Sequence, residues 1–318
     1  MSRLLISPLP RMGFCILLLV GVQACGQSYD ATPLPEKVPT PSKNGSISEH
    51  VTFFVLGKSW HFNQDATNAL SLIDMGYFAE IFLAPGGTVT EAHFQLQQPG
   101  ADRIPFDSEG DNGAVLYGHT HRRRHQQLTD LDAELPNGDY GFTIATPAGK
   151  LENFVVTLAG EGGATELPPA PVVTLYQSNQ VVGIKDVAPG LDVRVAWTPF
   201  VTGRADPNGI ADDLIFVMMD DCRGERAFHS GRPLATANPL QPEKTSETTL
   251  SYADNEIVIP AEVWKPGLTY TLHVEHARLI DTDKHEGVVG MTTYAVTTHV
   301  PIASTGEPAG GACPSEQV

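Results

Sequence analysis

Cysteine, tryptophan and basic residues are all scarce in this chain. Its 318 residues include four Cys and three Trp, and 20 Lys plus Arg stand against 37 Asp plus Glu, a formal charge of -17. So acidic a protein repels phosphate backbones, which argues against nucleic acid as a partner. Two of the cysteines, Cys15 and Cys25, lie near the start of the chain. The remaining pair, Cys222 and Cys313, is too small a set for a disulfide scaffold. In an oxidising compartment the two could pair with each other or remain thiols. Long apolar runs are also lacking. The run "GFCILLLVGV" at 13–22 falls short of the roughly 20 residues that a spanning helix needs. No nucleophile elbow, P-loop, dinucleotide fingerprint or His-Glu-x-x-His helix occurs, so no motif names an enzyme class.

What is present begins with a targeting segment. Arg3 and Arg11 precede the short apolar run, and "VQAC" (22–25) closes it. That ending resembles a bacterial lipobox. The resemblance implies removal of residues 1–24 and a lipid on Cys25, which would hold the protein to a membrane without spanning it. Gly26 then favours the outer membrane or cell surface; plain secretion follows if the lipobox is not used. Residues 25–49 are rich in Pro, Ser and Gly, and read as a flexible linker that lifts the folded part away.

The apolar runs that follow are short, rich in β-branched and aromatic residues, and bounded by Gly, Pro, Asn or Asp. They predict strands at 51–56, 77–84, 88–96, 114–120, 140–146 and 153–159. After the break "GEGGATELPPAP" come further strands at 172–176, 192–199, 213–220, 226–230, 256–260, 270–277 and 292–300. Only "DATNALSLIDMG" and "LTDLDAELPNG" carry some helical spacing. The expected fold is all-β, with two tandem sandwiches at 50–160 and 172–304, a linker at 161–171 and a flexible tail at 305–318.

"LPNGDYGFTI" (135–144) and "KPGLTYTLHV" (265–274) share a frame in which Tyr follows Pro by four residues. With Trp264, Pro266, Gly267 and Tyr270, the second copy resembles the entry to strand F of fibronectin type III domains. "LDVRVAWTP" (191–199) resembles strand B of that family, with Trp197 as its central ring. The resemblance implies Ig/fibronectin-III-like sandwiches and a tyrosine corner at Tyr270, with a weaker match at Tyr140. These are structural residues and name no ligand.

Two polar segments invite a chemical reading. "LYGHTHRRRHQQL" (116–128) holds His119, His121 and His125. Its Gly-His-Thr-His resembles the last motif of calcineurin-like metallophosphoesterases, but the motifs that should precede it are missing. Alternation puts His119 and His121 on one face, as two zinc ligands would be. Arg122, Arg123 and Arg124 oppose a cation there, and a basic edge strand that resists edge-to-edge pairing accounts for the segment. "ADPNGIADD" (205–213) is the better cation loop. Asp206, Asn208, Asp212 and Asp213 offer hard oxygens around Gly209, as calcium prefers, although a plain turn uses the same residues. "DTDKHEG" (281–287) reads as a similar loop between the last two strands.

The reading is of a non-catalytic, lipid-anchored envelope protein serving as scaffold, adhesion or ligand-binding module. It needs no cofactor; calcium is the one it would take. Its partners are the membrane, through the lipid, and a protein or carbohydrate ligand. One alternative is a carbohydrate-binding module with Trp60 or Tyr77 as exposed sugar platforms. The other is a metal-dependent hydrolase built on His119, His121 and His125. Two small sandwiches without large loops would leave little room for a deep cleft.

Overall fold

Val51–Gln64, the first strand (β1), sets the architecture. In the computed structural model, residues 45–106, 116–120, 124–238, 240–245 and 248–308 are described, with the backbone alone for 116–120 and Pro242. The signal segment 1–24, Cys25, the linker up to residue 44, His121, and Cys313 with the tail from 309 lie outside the described residues. Along β1, Phe54, Leu56 and Trp60 enter one core, while the alternate residues Phe53 and Val55 enter another. A strand apolar on both faces is a strand covered on both faces.

The first half continues with Leu70–Leu83 (β2), Glu91–Leu96 (β3), Ile104–Pro105 (β4), Leu116–Thr120 (β5), helix Leu128–Glu134 (α1), Gly138–Thr146 (β6) and Gly149–Leu158 (β7). The second half has Val173–Gln177 (β8), Gln180–Val182 (β9), Val193–Trp197 (β10), Leu214–Asp221 (β11), Arg226–His229 (β12), Ala237–Asn238 (β13), Gln241–Thr245 (β14), Leu250–Ser251 (β15) and Glu256–Ile259 (β16). Two long strands close it, Thr269–His285 (β17) and Val288–Ala303 (β18).

One eight-stranded sheet runs β12-β11-β17-β18-β1-β2-β5, with β15 also on β11. Its centre is a parallel pair, β1 with β18, in register from Phe53↔Val289 to Asn63↔His299. Two four-stranded sheets, β4-β3-β6-β7 and β16-β10-β8-β9, pack against it. They share one of its faces. Val288, Tyr294 and Val296 join the core that includes Phe94, Phe142 and Phe154. Val300 and Ile302, further along the same face of β18, join the core that includes Leu175, Val195 and Trp197. The chain is thus all-β, two sandwiches built on a common sheet. The break at 161–171 separates the small sheets but not the large one, because β17 and β18 run past both cores. All three buried clusters lie within the compact unit Pro41–Val318.

Some local expectations are corrected. Residues 70–75 of "DATNALSLIDMG" belong to β2, not to a helix. Order begins before residue 50: Ile47–Glu49 forms a 3-10 turn, and Ile47 is buried in the first core. It extends past 304, where Thr305 donates to Val187 O and accepts from Gly267 N–H. "DTDKHEG" is not a loop. It completes β17 and turns at Glu286 and Gly287, both with positive φ.

At each half's tyrosine the hydroxyl reaches back along the chain. Tyr140 donates to Pro136 O at 2.6 Å, and Tyr270 donates to Val263 O at 3.2 Å while accepting the Lys265 N–H at 2.8 Å. Both rings are buried; Trp264 meets Tyr270 edge-on, and Trp197 lies in the same core. Tyr140→Phe and Tyr270→Phe are each expected to lower stability by about 1–2 kcal/mol, the scale of one partly buried hydrogen bond. Chemical denaturation checks this; unchanged midpoints in both variants would remove the tyrosine-corner assignment.

Candidate functional site

The face of the large sheet left uncovered by the small sheets carries a recess of about 290 Å³. Its floor follows from alternation. On β1 the residues turned toward it run Phe53, Val55, Ser59 and His61, with Gly57 between. A Cβ on Gly57 would lie 2.6 Å from both the Phe78 ring and the Thr293 methyl, so glycine lets Phe78 lie across the strand. One end of the recess is apolar, with Phe53 stacked on Phe82 at 4.1 Å between ring centres. The other end is polar. His273 and His299 are direct cross-strand partners on β17 and β18, their rings 4.6 Å apart, and His61 stands 5.4 Å from His299.

Charged partners surround these rings. His61 Nδ1 is 2.8 Å from Asp74, and Arg124 is 3.7 Å from the same carboxylate. Asp220 accepts from Arg226 Nε at 2.5 Å and lies 3.3 Å from His273 Nε2. Burial, with His273, His61 and Arg124 adding like charge, lowers the His299 imidazole to about 3. Burial also lowers His61, Arg124 reinforcing and Asp74 opposing. Glu275, bonded by the Thr297 hydroxyl at 2.8 Å, goes the other way: burial raises its carboxyl to about 7.

A strap after β12 closes the recess. Arg232 is only 4% exposed, and its guanidinium sits 4.8 Å over the Phe82 ring. His229 donates from Nδ1 to Ser230 O and accepts from Arg232 Nε through Nε2 at 3.4 Å. Burial and the neighbouring Arg232 lower His229 to about 3. Burial, with Arg226 adding and Glu80 opposing, lowers Arg232 to about 10. Nη1 of Arg226, Nη1 of Arg232 and Nε2 of His299 are buried with no hydrogen-bond partner among the described residues.

Two small sandwiches are expected to leave little room for a deep cleft, and the recess is room of a kind that expectation does not include. The shared sheet supplies a third packing surface that sandwiches in series would not have. It also takes in His61, beside Trp60, a residue that no sequence motif singles out. Trp60 and Tyr77 themselves are buried, each 4% exposed, so neither serves as an exposed sugar platform. Trp60 instead meets Tyr294 edge-on in the first core.

The acidic loop lies elsewhere. Asp206 accepts the backbone N–H groups of Asn208, Ile210 and Ala211 and the Thr282 hydroxyl. Burial alone would raise this carboxyl, but those bonds hold it below the usual range. Asn208 donates to Thr282 O, Asp212 accepts the Asp206 N–H, and Asp213 accepts from Arg204 N and Leu279 N. Asp206, Asn208 and Asp213 therefore brace the loop against β17, while Asp212 bonds within the loop. Among the described residues no group of three or more His, Cys, Asp or Glu is arranged to hold a metal.

In the histidine segment, His119 stands opposite Ala79 in β5, the edge strand of the large sheet. His125 is bonded to Glu134 at 2.7 Å and bridges to Met75. Cys222 is in a disulfide; Cys313, the partner the sequence offers for it, lies outside the described residues.

No family model matches the chain, and no curated protein does. Among solved structures, it is similar to the FN1–FN3 domains of chicken CNTN1, with 10% identity over 77% of this chain and 65% of that one and a TM-score of 0.23. It is also similar to the BSP domain of a biofilm associated protein, with 11% identity over 73% and 28% and a TM-score of 0.18. The chain thus spans less than two thirds of either. At such scores neither likeness carries an argument, and the fold rests on the strands and cores described above.

Proposed function

We propose that the chain is a non-catalytic exterior module of the cell envelope that binds a small ligand. A lipid on Cys25 would tether it, and the Pro- and Ser-rich segment that follows would hold the folded part away from the membrane. The recess on the uncovered face of the large sheet supports the binding reading. A plain spacer needs only the two sandwich cores. Here a third buried surface encloses imidazoles, guanidinium groups and a carboxylate, and burying such groups costs free energy unless something meets them. Thr297, the recess hydroxyl nearest the histidines along β18, is committed to Glu275 as a donor, which suits a fixed lining better than a nucleophile. Among the described residues no helix is long and apolar enough to cross a membrane. The lipid is therefore the attachment proposed.

One preparation tests both parts. Protein extracted from membranes and examined by native mass spectrometry is expected to carry a noncovalent mass. Ser59→Trp, which fills the recess floor, should lose that mass while keeping its melting temperature within a few degrees. Cys25→Ala should leave the chain unacylated and in the soluble fraction. A wild-type chain with no bound mass would reduce the recess to packing, and a Cys25→Ala chain still in membranes would remove the anchor.

A further inference from the structure

The two arginines of the strap and β12 ask for something the protein does not supply. Arg226 and Arg232 line the same recess, and Arg226 lies close enough to disfavour the charge on Arg232. Each has an Nη1 that is buried and without a partner. A third arginine, Arg124, lines the recess too, against two carboxylates, Glu80 and Glu275. Arg226 and Arg124 are met in part by Asp220 and Asp74 just behind the lining, so the donors still open to a ligand are the buried Nη1 of Arg226 and of Arg232. A bound anion would accept from both guanidinium groups and relieve their repulsion, and such charge-assisted bonds are the stronger kind. Burial also leaves the Glu275 carboxyl near neutrality, able to face an anion without repelling it fully.

The adjoining wall has the opposite character. Arg232 lies on Phe82, Phe82 stacks on Phe53, and Phe78 covers Gly57. Leu214, Phe216 and Met291 complete an apolar lining. A free inorganic anion would leave that wall against water. Pockets of this kind bind through a largely apolar surface with few, well-placed polar groups.

We propose that the recess binds an amphiphilic anion, its charged head between Arg226 and Arg232 and its apolar body along Phe53, Phe78 and Phe82. This rests on the ligand-binding reading of the recess and specifies its ligand class. The head is an anionic oxygen cluster, carboxylate or phosphate.

The test is calorimetric titration of residues 41–318, the compact unit that holds all three buried clusters, with decanoate, decyl phosphate, decan-1-ol and acetate at one ionic strength. One of the two anionic amphiphiles should bind at a single site at least about tenfold more tightly than decan-1-ol and than acetate. The preferred head identifies the source. Arg226→Gln and the milder Arg232→Lys should each weaken it about tenfold or more, the scale of one charge-assisted bond. Circular dichroism would show that each variant is folded. Equal binding of decan-1-ol, indifferent to both substitutions, would overturn the anionic head and leave the ligand-binding reading standing. Equal binding of acetate would overturn the apolar body. Binding of none of the four by the folded chain would overturn the proposal, while a noncovalent mass on the extracted protein would still stand for some other ligand.

Discussion

Lys58→Ala is expected to destabilise the fold by about 4 kcal/mol, and Lys58→Met by about 1 kcal/mol or less. Lys58 is fully buried on the core face of β1, between Leu56 and Trp60. Its register partners are Tyr77 on β2 and Tyr294 on β18. The Nζ donates to Asp132 at 2.6 Å and to Asn137 at 2.7 Å. Asn137 also accepts from the Tyr294 hydroxyl and donates to Gly163 O, so one buried amine ties β1 to the turn before β6 and to the segment after β7. Alanine removes the stem and opens a cavity, and it leaves the Asn137 carbonyl with the Tyr294 hydroxyl as its one remaining donor among the described residues. Methionine keeps the buried volume, and the Asp132 carboxylate it leaves behind is 40% exposed and can be met by water. Asp132→Ala should fall between them, about 2–3 kcal/mol. It leaves the Lys58 charge buried, but Asp132 itself is 40% exposed and the pair is partly screened. Burial lowers the Lys58 ammonium, with Asp132 opposing, so removal of the carboxylate should lower it further. Urea unfolding of the three variants checks the order. If methionine costs as much as alanine, Lys58 acts through its charge and not its stem.

The strands are legible in the sequence because most are short, half-buried and punctuated by Gly, Pro or Asn, where alternation is strong. The pairing of β1 with β18 is not. Those strands lie more than two hundred residues apart, and nothing local to either specifies the other. A hint does stand in β1. Phe53, Phe54, Val55 and Leu56 in succession are apolar on both faces, which a strand with one solvated face would not be. The far end of β17 is hidden for the opposite reason. Asp281, Thr282, Asp283 and Lys284 have the composition of a turn. They stay extended because Asp281 accepts the Thr157 N–H and Thr282 bonds to Asp206.

The site follows the same logic. His61, His273 and His299 sit on three strands from both ends of the chain, His61 and His299 each alone in its strand and His273 sharing β17 with His276 and His285. Only the shared sheet brings them together. The adjacent cluster at 119–125 has the greater density in sequence, yet His125 is spent on Glu134. The acidic loop has the residues calcium uses, and there Asp206 accepts the N–H groups of Asn208, Ile210 and Ala211 from its own loop. Spacing shows which groups are near one another along the chain. It does not show whether the backbone takes them first.

The same buried imidazoles should make the fold acid-labile. An unfolded chain protonates histidine near pH 6.5. In the folded chain, burial lowers His229 and His299 to about 3 and His276, stacked on Phe200, to about 4. Between those values the unfolded state holds more protons, so stability falls as pH falls, by about 1.4 kcal/mol per pH unit for each group. Glu275 acts in the reverse sense. Burial raises its folded carboxyl to about 7 from an ordinary 4.5, so the folded state holds the extra proton over that range and gains stability as pH falls. Three imidazoles against one carboxyl leave a net loss of about 5 kcal/mol between pH 6.5 and 4.5. That is a large share of the roughly 5–15 kcal/mol by which domains are stable. Asp220 is held low by His273 and Arg226 despite its burial, so it resists protonation until well below this window. The expected result is cooperative unfolding on acidification above pH 4, seen as loss of near-ultraviolet circular dichroism. The double variant His276→Gln, His299→Gln should shed about two-thirds of the imidazole contribution. Glu275→Gln should steepen the fall between pH 7 and 5, because it removes the opposing group. Stability equal at pH 7 and pH 4.5 in the wild-type chain would mean that these rings are hydrated and already accept protons in the folded state.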